Sequence, residues 1–117
     1  MRTIEKNIIN HLSAGAGSHS LSMRDLVEVS ESGNIKRVYL WNHNIFSIEY
    51  GRVIFSLCGW NTTTTKSRLN ALLGHYCNAG ITQKNYELFY CHNGVKTPID
   101  SNKRYAIDDA GNIKESV

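Results

Sequence analysis

Ile35-Lys36-Arg37-Val38-Tyr39-Leu40-Trp41-Asn42-His43-Asn44-Ile45-Phe46-Ser47-Ile48-Glu49-Tyr50-Gly51-Arg52-Val53-Ile54-Phe55-Ser56-Leu57-Cys58 is the stretch whose reading decides the fold class. Over its first seven residues the side chains alternate. Ile35, Arg37, Tyr39 and Trp41 fall on one face of an extended chain, and Lys36, Val38 and Leu40 on the other. Asn42-His43-Asn44 interrupts the run with residues that tolerate positive φ. Ile45 to Tyr50 reads as the next strand, Gly51-Arg52 as a tight reversal and Val53 to Cys58 as a further strand. Reversals this short leave no room for a crossover, so neighbouring strands must be antiparallel. Upstream, Leu21 to Val29 is mostly extended, with Val27 and Val29 opposite Glu28, and Ser32-Gly33-Asn34 turns it into Ile35. A four-stranded antiparallel meander is expected over residues 21–58.

On the N-terminal side, Ile4, Ile8, Ile9 and Leu12 share one face at the helical period, which predicts a helix over Thr3–Leu12 with Thr3 as its N-cap. Ser13 to Ser20, with Gly15 and Gly17, reads as a flexible linker. It lacks the lysine and the preceding strand that a phosphate loop requires. On the C-terminal side, Leu69, Leu72, Leu73 and Tyr76 form the apolar stripe of a second helix over residues 62–77. Thr62 to Thr65 suit its start, and Asn78-Ala79-Gly80 its end. Asn93-Gly94 between Tyr86–His92 and Val95–Ile99 is a strong hairpin signal. Arg104–Ile107 and Ile113–Val117 suggest a second hairpin within residues 86–117. Each helix has one apolar face to cover. The fold class expected is therefore α+β, a single domain over residues 1–117, with both helices on one face of the meander.

A chain of 117 residues that is 41% hydrophobic and 20% charged has the makings of an ordinary globular core, which argues against disorder and coiled coil. No apolar run approaches the ~18 residues of a membrane span. Met1-Arg2-Thr3-Ile4-Glu5-Lys6 does not read as a signal peptide. Three cysteines, Cys58, Cys77 and Cys91, are too few and too odd in number for a disulfide framework, so a reducing, cytoplasmic setting is expected.

Four features compete as sites. The net charge of +3 is small, but every formal charge between Glu49 and Glu87 is positive: Arg52, Lys66, Arg68 and Lys84. The start of the second helix adds free amides, the positive end of the helix dipole and the hydroxyls of Thr62 and Thr64. Residues two apart on a helix point about 200° apart, so Lys66 and Arg68 would flank an extended negative surface rather than grip one phosphate. The competing reading is a well-capped helix with solvated cations. The aromatic side chains Tyr39, Trp41, Phe46, Tyr50, Phe55 and Trp60 crowd the meander. Those left over from the core would form an apolar patch on the second sheet face, suited to a protein interface or to stacked bases. His75, Cys77, Cys91, His92 and Cys58 match no zinc spacing, and neighbouring strand residues point to opposite faces, so no metal is expected. A Cys-His or carboxylate-pair signature is absent, so neither catalysis nor a cofactor is expected.

Leu40-Trp41-Asn42-His43-Asn44-Ile45-Phe46, followed by Cys58-Gly59-Trp60-Asn61-Thr62-Thr63-Thr64-Thr65-Lys66-Ser67-Arg68-Leu69-Asn70-Ala71-Leu72-Leu73, resembles a pattern of small bacteriophage accessory proteins. There a Leu-His-Gly-Asn-like turn leads through a hairpin to Gly-Trp-x-Thr-x-Thr-Thr-Lys/Arg-x-Arg-Leu-Asn-Ala-Leu. The resemblance covers about residues 38 to 95 and departs from the pattern at Asn42-His43-Asn44. It implies a phage or mobile-element setting and no catalytic residue. Small proteins of this class commonly inhibit host machinery, CRISPR effectors included. The expectation is thus a phage-derived binding protein that inhibits or regulates a host protein complex, a candidate anti-CRISPR, through Trp41, Arg52, Trp60, Thr62, Thr64, Lys66, Arg68 and Lys84. The alternative is a nucleic-acid-binding accessory protein that uses the same basic helix start and the sheet aromatics.

Overall fold

The computed structural model describes residues 1–116. Its elements in chain order are α1 (Thr3–Leu12), β1 (Gly17–Ser20), β2 (Asp25–Val29), β3 (Ile35–Leu40), β4 (His43–Glu49), β5 (Arg52–Ser56), α2 (Thr63–Cys77), β6 (Ala79–Lys84), β7 (Glu87–His92), β8 (Val95–Ile99), β9 (Arg104–Ile107) and β10 (Ile113–Ser116). The expected α+β class and antiparallel meander are present as β2-β3-β4-β5, but the sheet does not stop there. It has seven strands in the order β1-β2-β3-β4-β5-β9-β10, and a separate three-stranded sheet is formed by β6-β7-β8.

The core follows from the register. Val27 faces Val38, Val38 faces Phe46, Phe46 faces Phe55 and Phe55 faces Tyr105, so one cross-strand row is apolar across the central strands from β2 to β9, with His19 and Glu115 at its ends on the edge strands. Ile8 and Leu12 of α1 and Leu69, Leu72 and Leu73 of α2 are buried in the same core as that row. Ile81, Leu88 and Tyr90 of the small sheet extend the core past α2. The opposite face of the large sheet runs Glu28, Arg37, Ser47, Ile54, Ala106. This narrows the expected aromatic patch: Phe46 and Phe55 are fully buried in the core, and of the meander aromatics Tyr39 stands half-buried on the outer face beside Glu28 and Arg37.

Several boundaries move for local reasons. Gly17–Ser20, read as linker, pairs with Ser20↔Leu26 through Gly17↔Val29, held as an edge strand by backbone bonds that its composition does not signal. Arg2, not Thr3, caps α1, because the Glu5 carboxylate accepts the Arg2 amide at 3.2 Å. Asn78 ends α2 in the left-handed conformation as expected, yet Ala79 opens β6 at once. The hairpin around Asn93-Gly94 forms as β7 and β8, and β9-β10 forms the second one, of which Val117 lies outside the described residues.

The β3-β4 hairpin differs most from expectation. Its tip is Trp41-Asn42, both at positive φ (50° and 64°), and not Asn42-His43-Asn44. The ladder then slips by one residue, since Val38 faces Phe46 but Tyr39 faces Asn44. The extra residue, Ile45, makes a β-bulge that turns Ile45 and Phe46 both inward, and both are buried. Asn44 holds the bulge by donating from Nδ2 to the carbonyls of Val38 and Phe46, at 3.3 and 3.2 Å.

Candidate functional site

At the end of the large sheet where β3 turns into β4, a cleft of about 160 Å³ opens beside the start of α2. Leu40, Ile45 and Leu57 form its apolar floor, and Trp41, His43 and Trp60 its aromatic walls. Thr62, Thr64 and Thr65 close the helix side. Trp41 and Trp60 are 52% and 49% exposed, and the His43 ring lies 5.4 Å from that of Trp60. These are the two tryptophans of the chain, so every indole borders this cleft.

Each wall is positioned by identifiable backbone features. Trp41 sits at a tight-turn position that bulky residues seldom occupy, and its amide donates to the Arg24 carbonyl at 2.8 Å. Trp60 is set by two consecutive left-handed residues, Cys58 and Gly59 (φ 54° and 78°), that turn the chain out of β5. The Gly59 amide donates to Ser101 O at 2.7 Å, and a Cβ at Gly59 would stand 2.8 Å from Asn102 Oδ1, so this bend requires glycine on both counts. Thr62 is the N-cap of α2: its hydroxyl accepts the Thr65 amide at 3.1 Å and pairs with the Thr65 hydroxyl at 2.9 Å. Arg104 braces the bulge from below, donating to Asn44 Oδ1 and Asn44 O at 3.1 and 3.0 Å.

Behind the cleft lies a buried charge cluster. Arg68, 1% exposed, donates from Nε and Nη2 to the two oxygens of Asp25 and from Nη1 to Glu5, at 2.8, 3.3 and 3.0 Å. Ser67 and Ser22 add hydroxyl donors to Glu5 and Asp25, each at 2.6 Å. Burial pushes the Glu5 carboxyl up, but Ser67, the Arg2 amide and Arg68 outweigh it and hold the group below its ordinary value. Asp25 likewise is raised by burial and lowered further by Arg68, Ser22 and Arg24. Burial disfavours the Arg68 cation, and the two carboxylates more than restore it.

The sequence-derived residues therefore divide. Trp41, Trp60, Thr62 and Thr64 come together around one cleft. Lys66 stands one helical turn beyond Thr62, its amide donating to Thr62 O at 3.1 Å and its Nζ reaching Gln83 Oε1 at 2.6 Å. Lys84 is exposed at the end of β6, next to that glutamine. Arg52 lies at the opposite end of β5, beside the Tyr50-Gly51 turn. Arg68 is corrected from surface cation to core residue, because its position in α2 faces Asp25 and Glu5 rather than solvent. A continuous basic face is thus not formed. Sequence reasoning missed His43, Ile45 and Leu57 as cleft residues. The bulge that aims Ile45 inward leaves no periodic signal, and the turn was placed one residue late.

A family model for the Kyanoviridae Gp96 protein matches residues 1–108. The chain belongs to this family. It is a family of bacteriophage proteins, in agreement with the phage setting that the Gly59–Leu73 block implied. No curated protein and no solved structure matches the chain. Among the cleft residues His43 is the sole titratable side chain, so the cleft offers apolar contact, stacking and hydroxyl groups rather than an acid–base pair. A larger polar cleft of about 640 Å³ lies at the far end of α2, with His75, Cys77, His92, Asp108 and Asp109 along it. Among the described residues, no group of three or more His, Cys, Asp or Glu is placed to hold a metal ion. Among the described residues, no helix is long and apolar enough to cross a membrane.

Proposed function

We propose that this phage protein is a non-catalytic binding protein that inhibits or regulates a host protein complex in the host cytoplasm, with a CRISPR effector as one candidate target. The observation that carries the reading is the Trp41–Trp60 cleft. Both indoles are about half exposed above an apolar floor. Tryptophans in pockets are the usual anchors of protein interfaces. At about 160 Å³ the cleft is smaller than the roughly 300–1,000 Å³ of small-molecule sites, which favours an inserted side chain over a metabolite. The choice of a CRISPR effector as candidate target rests on the class of small phage accessory proteins. A nucleic-acid role would call for a continuous basic track. With Arg68 buried and Arg52 at the other end of β5, the helix start retains Lys66 and Lys84.

The test is capture from host lysate with the tagged chain and with the Trp41→Ala/Trp60→Ala variant, identified by mass spectrometry and followed by an activity assay of the captured complex. The expected outcome is a defined complex that resists moderate salt, is lost with the double variant and is inhibited by the intact chain. Equal capture by both proteins would remove the cleft from the interface.

A further inference from the structure

We propose that the tip of the β7-β8 hairpin is a site of spontaneous modification, where Asn93 deamidates through its own backbone while the chain is folded. Asn93 is the asparagine of this chain that is followed by glycine. Both residues are exposed and lie at left-handed φ, 49° and 78°, between the paired residues His92 and Val95. Among the described residues the Gly94 amide donates to no turn or loop carbonyl. Nothing lies within 4 Å of where a Gly94 side chain would begin, so the nitrogen is open to attack. In the reaction the Gly94 nitrogen bonds to Asn93 Cγ and gives up its proton to solvent. The Cγ–Nδ2 bond breaks, and ammonia leaves with a proton from water. Water then opens the cyclic imide at one of its two carbonyls. The products are aspartate, or isoaspartate with the main chain routed through Cβ.

Attack rotates the Asn93 backbone out of the turn conformation, so the tip must open briefly. The hairpin opens readily because β8 is the outer strand of the three-stranded sheet, with Val95 64% exposed beside the tip and Lys96 and Pro98 exposed along it. The other hairpin of this sheet supplies a matched contrast. Asn85-Tyr86 is also exposed and left-handed, at 50° and 67°. There the attacking amide belongs to tyrosine, whose Cβ crowds the approach. The two products act differently on the fold. Aspartate keeps the turn, since Asp-Gly suits the same geometry. It also places a new negative charge on the polar cleft that Asn93 lines together with Asp108 and Asp109. Isoaspartate adds a main-chain atom that a two-residue turn does not accommodate, so the pairing of His92 with Val95 is lost and β8 loosens from its tip.

The test incubates the full folded chain in mildly alkaline buffer and follows the tryptic peptide of residues 85–96 by mass spectrometry, because that peptide holds both hairpin tips. The expected result is the mass gain of an amide-to-acid conversion, located by fragmentation at Asn93. Its rate should be no more than about tenfold below that of the same peptide in isolation, an opening cost of about 1.4 kcal/mol. Asn85 should stay unchanged over the same period. Two products should separate on chromatography, one of them co-eluting with the peptide from Asn93→Asp. Asn93→Gln, whose imide would need a larger ring, should abolish the gain and keep the circular dichroism of the intact chain. No gain at Asn93, or a gain seen only after denaturation, overturns the proposal. An equal gain at Asn85 removes the role given to Gly94. A single product identical to that of Asn93→Asp overturns the imide route in favour of direct hydrolysis.

Discussion

With Arg68 truncated to alanine, Asp25 and Glu5 keep their burial and lose the cation that offsets it. Breaking a buried ion pair from one side costs about 3–5 kcal/mol, so Arg68→Ala should lower the urea midpoint severely, and circular dichroism during denaturation checks this. The acid dependence follows from the same cluster. Both carboxylates are held below their ordinary values in the folded state. Their stabilisation is therefore fully present above the unfolded values of about 4 and is lost as pH falls through the lower folded ones. Stability measured from pH 7 downwards should hold to about pH 5 and then fall. In Arg68→Ala this acid dependence should weaken, because both carboxyls lose the cation that helps lower them while burial still raises them and Ser67, the Arg2 amide, Ser22 and Arg24 remain. Stability of that variant that declined in parallel with the wild type below pH 5 would contradict this account.

Two substitutions probe the elements. Leu72, 1% exposed, packs α2 into the shared core, so Leu72→Ala should cost about 2–5 kcal/mol by cavity formation, read from equilibrium unfolding. Tyr86 behaves oppositely. It is 96% exposed at the tip of the β6-β7 hairpin with φ 67°, a conformation that favours glycine. Tyr86→Gly surrenders almost no burial and should stabilise by about 1 kcal/mol, raising the melting temperature by several degrees. The meander, both helices and the Asn93-Gly94 hairpin were legible because alternation, helical period and turn chemistry agree there. Gly17–Ser20 and Ala79–Lys84 were not. Gly-Ser-His-Ser has no apolar alternation, and Ala-Gly-Ile-Thr-Gln-Lys buries only Ile81 fully. Their pairing is decided by neighbours far along the chain. Of the candidate site, Trp41, Trp60, Thr62 and Thr64 were legible as residue types next to a helix start. Their convergence depends on the bulge at Ile45 and the left-handed pair Cys58-Gly59, which are backbone features. Arg68 was misread because a lone arginine in an amphipathic helix normally faces water, and its two partners lie 43 and 63 positions away.

At the scale of the whole molecule, α2 and the small sheet form one continuous insertion between two strands that touch. β5 ends at Ser56 and β9 begins at Arg104, yet Ser56 faces Arg104 in the ladder. Time enters here. The β2-β5 hairpins close short loops and can form early, whereas the β5-β9 seam must wait until the intervening segment is placed, since distant contacts carry a larger loop-closure cost. Pulse-labelled hydrogen exchange during refolding should therefore protect Val38 and Phe46 amides before that of Tyr105. Until β9 arrives, β5 is an open strand edge, and a nascent chain stalled before residue 104 would expose it to other copies of itself. The last seam to close is thus also the point at which a ribosome-bound or truncated copy is most prone to aggregate.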